Sequence, residues 1–158
     1  MGLEGIPAFY IHAMLATAND HEAVERRGMN RAINRHRWDY PELKTRLSDA
    51  QSDQAGVLMA LSERLKIRAK QAAFHPNATQ FTLQLDDRVF ALWRQSLDRA
   101  QSIFALHNVS DEAVILPPGA LNLIEGEHWR DLLSTEAFAS DAEITLAPYQ
   151  CRWITNQG

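Results

Sequence analysis

Gly5-Ile6-Pro7-Ala8-Phe9-Tyr10-Ile11 is an apolar run with β-branched and aromatic members, four residues into the chain. Runs of this kind suit a strand covered on both faces, as in parallel sheets. Pro7 lies near its start, where a missing N–H is tolerable. We read residues 5–12 as such a strand. A long polar segment follows, residues 13–38, with many charges and no clean period. We expect a loop with short helical turns there, and loops of that length usually carry function. A strand, a polar loop and then a helix is how a parallel α/β barrel presents its chemistry. A barrel needs eight such units, and 158 residues leave room for one.

Further along, Asp39-Tyr40-Pro41-Glu42 has the form of a helix start. Asp39 is the cap, a proline sits in the first turn, and a glutamate follows three after the cap. That helix should end near Ser48. Ser52 opens a longer one, with Leu58, Leu61, Leu65 and Ala69 at helical spacing and a stop near Ala73. From residue 79 the period changes to two. Phe81 to Leu85, Val89 to Arg94, Ile103 to His107, Val114 to Leu116, Ala120 to Ile124, Trp129 to Leu133, Ile144 to Leu146 and Gln150 to Ile154 read as short strands. Closely spaced strands joined by turns predict an antiparallel sheet or sandwich. The expected fold class is therefore α+β, with a boundary near residues 74–78.

Composition bounds the function. The hydrophobic fraction is 46% and the charged fraction 23%, both ordinary for a globular domain. No apolar run approaches the roughly 20 residues that cross a bilayer, so no membrane partner is expected. Net charge is -4 and the sequence pI about 5.8. Nucleic-acid surfaces usually show a basic excess, so none is expected here. Arg26, Arg27, Arg31, Arg35 and Arg37 form the local exception. They read either as a phosphate or sugar contact or as a segment salt-bridged to Glu22, Glu25 and Asp39. The single cysteine, Cys151, precludes an internal disulfide, favours the cytoplasm, and reads as a small buried residue.

The chain resembles the α-amylase superfamily, glycoside hydrolase family 13. Gly5 to Tyr10 looks like its eighth barrel strand, and the helix ending Leu65-Lys66-Ile67-Arg68 looks like its eighth helix. The sheet that follows looks like the C-terminal domain. Within the family, Asn19-Asp20 and Ile33-Asn34-Arg35-His36 resemble the sucrose phosphorylase branch, which includes glucosylglycerate phosphorylases. The resemblance implies two parts: residues 1–76 as the last strand-loop-helix unit of a (β/α)8 barrel, and residues 77–158 as an antiparallel β C-terminal domain.

It also implies a retaining mechanism. An aspartate attacks an α-glucoside, a glutamic acid protonates the leaving sugar, and phosphate intercepts the glucosyl-enzyme. Such chemistry needs two carboxyl groups about 5 Å apart. The family carries them after earlier strands, so no catalytic residue and no activity of the chain alone are expected. What remains is sugar recognition. The resemblance assigns Arg35 to the outer hydroxyls of a glucosyl unit, because a guanidinium can bridge a carboxylate and a hydroxyl. Asn34 and His36 flank it, and Asn19 and Asp20 are further substrate-binding candidates.

Other readings stay beside these. Arg35 can be a salt-bridge residue, Asn19 and Asp20 can cap a turn, and His12 can be a satisfied structural histidine. His21-Glu22-Ala23-Val24-Glu25 lacks the second histidine of a zinc-protease motif, and no metal or cofactor is expected. Trp93, Trp129, Trp153 and Tyr149 would stack on sugars if the chain were a carbohydrate-binding module, or fill the core if not. A tail of an amylase-type hydrolase is the third alternative. Finally, a residue 5–12 strand without barrel neighbours predicts self-association or disorder of the first 40 residues.

Overall fold

The structure, a computed structural model, describes residues 1–157. The chain divides into two compact units, Met1–Pro7 with Ile67 onward, and Ala8–Lys66.

The helical unit begins where the opening strand was expected. Residues 6–10 are extended but belong to no ladder, and Ile11–Met14 make a single helical turn, α1. The apolar composition was read correctly and its conformation was not. A strand exists only through hydrogen bonds to neighbours, and among the described residues none is paired with this segment. Ile6, Tyr10 and Ile11 are left exposed.

The polar segment holds α2 (His21–Arg27) and a 3-10 turn, Asn30–Asn34. Asp20 caps α2 through its side chain, which accepts from Ala23 N at 2.8 Å. Gly28 ends the helix at φ 62, a left-handed conformation that glycine adopts without steric cost. α3 (Tyr40–Ser48) starts as the sequence implied, with Asp39 accepting from Glu42 N at 3.1 Å and Pro41 in its first turn. The Ser52 hydroxyl accepts from Ala55 N at 3.1 Å where α4 (Asp53–Ala69) begins.

The sheet unit carries β1 (Thr79–Leu83), β2 (Val89–Gln95), β3 (Ser102–Asn108), β4 (Val114–Leu116), β5 (Trp129–Asp131), β6 (Ala137–Phe138), β7 (Ile144–Leu146) and β8 (Cys151–Thr155). All pairs are antiparallel. One sheet runs β1-β2-β3-β8-β5-β6 and a second pairs β4 with β7, so neither closes into a barrel. Residues 120–124 were expected as a strand. They form a turn and an irregular stretch, with Gly119 at φ 79 and Asn122 at φ 49.

The larger sheet is covered on both faces, so its strands alternate between two cores. Phe104, Leu106 and Ile154 face Val114, Leu116, Ile144 and Leu146 of the small sheet. Leu92, Ile103, Ala105 and Trp153 face the other way, against Ala73 and Phe74 in a 3-10 turn.

Two arginines bolt the first residues to this unit. Arg94, fully buried, donates to Gly2 O at 3.1 Å and to His75 O at 3.0 Å. Arg68 donates to Met1 O at 2.9 Å and Gly5 O at 3.3 Å. Both guanidinium groups lie over the Phe74 ring, at 5.4 and 6.0 Å from its centroid.

Candidate functional site

The helical unit contains a polar cleft of about 540 Å³. Its position follows from two local devices. The Asp20 backbone N–H donates to Ile33 O at 2.8 Å, which ties the start of α2 to the 3-10 turn. Asn19 and Asp20 are thereby brought beside His36, sixteen residues after Asp20 in the chain. Asp39 then turns the chain into α3, whose Glu42 and Arg46 form another wall.

Asn19, Asp20 and His36 therefore line one cavity. His36 Nδ1 lies 3.9 Å from Asp20 Oδ2, with both side chains partly exposed. The other carboxylate oxygen, Oδ1, is the helix cap. The capping alternative thus holds for one oxygen of Asp20, while the other remains on the cleft side with the imidazole. Asn34 and Arg35 are exposed and are not among the cleft-lining residues. The Asn34 carbonyl accepts from Tyr10 Oη at 2.9 Å. Among the described residues, no ion pair involves Arg35 or its neighbours Arg26, Arg27, Arg31 and Arg37.

Sequence reasoning missed four contributors. Trp38 meets the His36 ring edge-on at 4.8 Å and donates from Nε1 to Thr17 Oγ1 at 2.9 Å. The Arg46 guanidinium lies 5.7 Å from the Trp38 ring and pairs with Glu42 at 3.0 Å. Gln54, on α4, is buried at the cleft and reaches Ala16 O at 3.5 Å. A signal for two of them was present, since Glu42 and Arg46 stand four apart on a well-capped helix. His12 has its partners within the helical unit, with its ring 5.1 Å from Tyr10 and 3.2 Å from the Thr17 hydroxyl, as a satisfied structural histidine does.

Chemically the cleft mixes hydrogen-bond acceptors (Asp20, Asn19), a planar cation (Arg46) and an aromatic wall (Trp38). Such a set suits a polyhydroxylated or anionic ligand. Among the described residues, no group of three or more His, Cys, Asp or Glu is placed to hold a metal. No described helix is long and apolar enough to cross a membrane.

The aromatics of the sheet unit take the core role. Trp129 and Trp153 are 3% and 2% exposed, so neither can stack on a sugar. Trp93 is partly buried and stacks on Phe104 at 6.0 Å. Tyr149 alone of the four is exposed.

No family model matches the chain. Curated proteins do. A glucosylglycerate phosphorylase of Allomeiothermus silvanus is 34% identical over 154 residues, covering 98% of this chain and 25% of that protein. That of Spirochaeta thermophila is 34% identical over 98% of this chain and 28% of its own length. The Escherichia coli glucosylglycerate phosphorylase gives 34% over 98% and 26%. The chain resembles part of a glucosylglycerate phosphorylase. It spans about a quarter of the length of these relatives.

Solved structures give the fold. AmyP in complex with maltose superposes with a TM-score of 0.57 at 15% identity, over 66% of this chain and 21% of that one. An Anoxybacillus α-amylase gives 0.57 at 16%, over 78% and 25%. The trehalulose synthase MutB of Pseudomonas mesoacidophila gives 0.51 at 18%, over 72% and 19%. The likeness of the chain to part of the glucosylglycerate phosphorylases therefore stands, and the solved structures bear out the expected mix of helices and antiparallel sheet.

Proposed function

We propose that this chain supplies part of the glucosyl-holding region of an α-glucoside phosphorylase of the sucrose phosphorylase kind. Its substrate would be glucosylglycerate, sucrose or a related α-glucoside, phosphate would be the acceptor, and the setting would be the cytoplasm. The observation that carries the reading is the gathering of Asn19, Asp20 and His36 into one polar cleft, in a chain 34% identical to three glucosylglycerate phosphorylases.

The cleft's carboxylates have binding rather than bond-breaking work. Asp20 caps α2 and faces His36, and Glu42 is held by Arg46. A retaining mechanism needs two carboxyl groups roughly 5–5.5 Å apart across the scissile bond, one of them ready to attack. In this proposal Asp20 and Asn19 accept from sugar hydroxyls, and exposed Arg35 completes its contact with a carboxylate that the described residues do not pair with it. The chain by itself then binds an α-glucoside weakly and does not cleave it. Residues 77–158 act as the supporting β domain.

The test is a titration of the purified chain with glucosylglycerate and sucrose, read by backbone amide shifts, together with an assay for glucose 1-phosphate. Shifts at residues 19, 20 and 36 without product are expected. Release of glucose 1-phosphate that is lost in Arg35→Ala would refute the passive role. Shifts confined to the surroundings of Tyr149 would instead make the chain a carbohydrate-binding module of the sheet.

A further inference from the structure

The register of the larger sheet lines up three side chains that the sugar reading does not use. Phe90 on β2 is paired with His107 on β3, and His107 is paired with Cys151 on β8. Alternation puts them on the face of Leu92, Ala105 and Trp153. At this end of the sheet that face opens into a second cleft of about 500 Å³, walled by Phe90, Leu92, Leu3 and Tyr149. Cys151 is exposed there, and so the expectation of a buried cysteine is corrected. It opens β8 at the cleft rather than under the Phe74 turn, which covers Trp153 two residues later.

Cys151 Sγ lies 3.1 Å from His107 Nδ1. Burial holds the imidazole below its ordinary proton affinity, so at neutral pH the ring is neutral and one nitrogen has an open lone pair. The other nitrogen is covered. A Cβ added at Gly2 would stand 3.5 Å from Nε2, which places the backbone of the first residues over that edge. Nδ1 is then the nitrogen available to the thiol. A thiol is a weak nucleophile until it loses its proton, and a neutral imidazole in hydrogen-bond contact can take that proton as the new bond forms. The Phe90 ring, 6.0 Å from His107 and tilted by 33°, and the exposed Tyr149 give an incoming molecule apolar contact.

We propose that Cys151 is a covalent capture site for small apolar Michael acceptors, that is α,β-unsaturated carbonyl compounds, with His107 as the base. His107 Nδ1 takes the thiol proton. A sulfur lone pair forms the S–C bond at the β-carbon, and the C=C π pair shifts to leave an enolate. The imidazolium returns the proton at the α-carbon. No group leaves and no oxidant is consumed. The apolar walls favour such carbon electrophiles over charged disulfides. This inference is independent of the sugar cleft.

Because the chain has one cysteine, intact mass follows the reaction directly, with Cys151→Ser as the blank. The probes are N-ethylmaleimide and N-benzylmaleimide at pH 7. The folded chain should react at least about tenfold faster than the same chain in urea, a modest part of what a positioned general base contributes. The benzyl probe should outpace the ethyl probe only when the chain is folded, and Phe90→Ala should remove that preference. His107→Asn, checked for folding by circular dichroism, should fall to the unfolded rate. Equal rates in the folded and unfolded wild-type chain would overturn the site. Full enhancement retained in folded His107→Asn would overturn the base. The wild-type comparison decides the first point even if the variant fails to fold.

Discussion

Asp20 serves two masters, and two substitutions separate them. Its Oδ1 accepts from Ala23 N at 2.8 Å as the cap of α2, and its Oδ2 lies 3.9 Å from His36. Asp20→Ala removes both. A lost N-cap costs about 1 kcal/mol, within a range of about 0.5–2. A partly exposed pair at the edge of contact distance adds a few tenths at most, and only when His36 is protonated. The expected loss is therefore about 1 kcal/mol, or roughly fivefold in the local opening equilibrium. Asp20→Asn keeps an acceptor oxygen at the cap, where asparagine is as good as aspartate, and removes only the charge. Amide hydrogen exchange at Val24 and Gly28, which bond to Asp20 O and Val24 O, reads the helix directly. Exchange should quicken about fivefold in Asp20→Ala and stay nearly unchanged in Asp20→Asn. Sugar-induced shifts, in contrast, should weaken in both, because the carboxylate is the proposed acceptor. If Asp20→Asn loosens α2 as much as Asp20→Ala, the cap is not what holds this helix. If both retain full sugar response, Asp20 has no place in the binding site.

Other perturbations address the sheet unit and the opening residues. Arg88 donates to both carboxylate oxygens of Asp86 and holds its pKa down to about 2. Its stabilising effect is complete above the unfolded value near 3.8 and is lost as pH falls towards 2, and a carboxyl-carbon NMR titration with an ordinary midpoint would disprove the pairing. Phe74, 1% exposed and 4.9 Å from the Trp153 ring, should cost about 3–5 kcal/mol when cut to alanine; a urea midpoint that barely moves would show that the arginines above it do not depend on the ring. Exposed Ile6 and Ile11 should promote self-association, reduced by Ile6→Asp with Ile11→Asp. Sedimentation showing a single monomer boundary for the wild-type chain at every concentration would dismiss that proposal.

Local chemistry was the legible part of the sequence. Asp39, Pro41 and Glu42 carry their own instructions, because a cap is satisfied within four residues. Alternation over Val89 to Arg94 and Ile103 to His107 was equally self-contained. Residues 5–12 failed for the opposite reason: an apolar run announces burial, but pairing depends on partners elsewhere. β6 was also hidden, since it is two residues long and pairs only with β5, itself expected from Trp129 to Leu133. At the cleft, Asn19, Asp20 and His36 were named from motif resemblance. The pairing of Glu42 with Arg46 was legible from their spacing, but their place at the cleft, like those of Trp38 and Gln54, came through the placement of elements that no spacing rule contains.

Where the guanidinium groups of Arg68 and Arg94 meet the first five residues, they hold backbone carbonyls alone. A lock of this kind recognises the path of the chain and ignores what the chain is made of. Side chains at positions 3 and 4 are therefore free to drift in evolution, whereas position 2 is not: a methyl group there would sit 3.2 Å from the Ala105 Cβ. Mutational tolerance along this short segment should thus alternate sharply between neighbours, and it should follow the geometry of the carbonyls rather than any pattern of hydrophobicity.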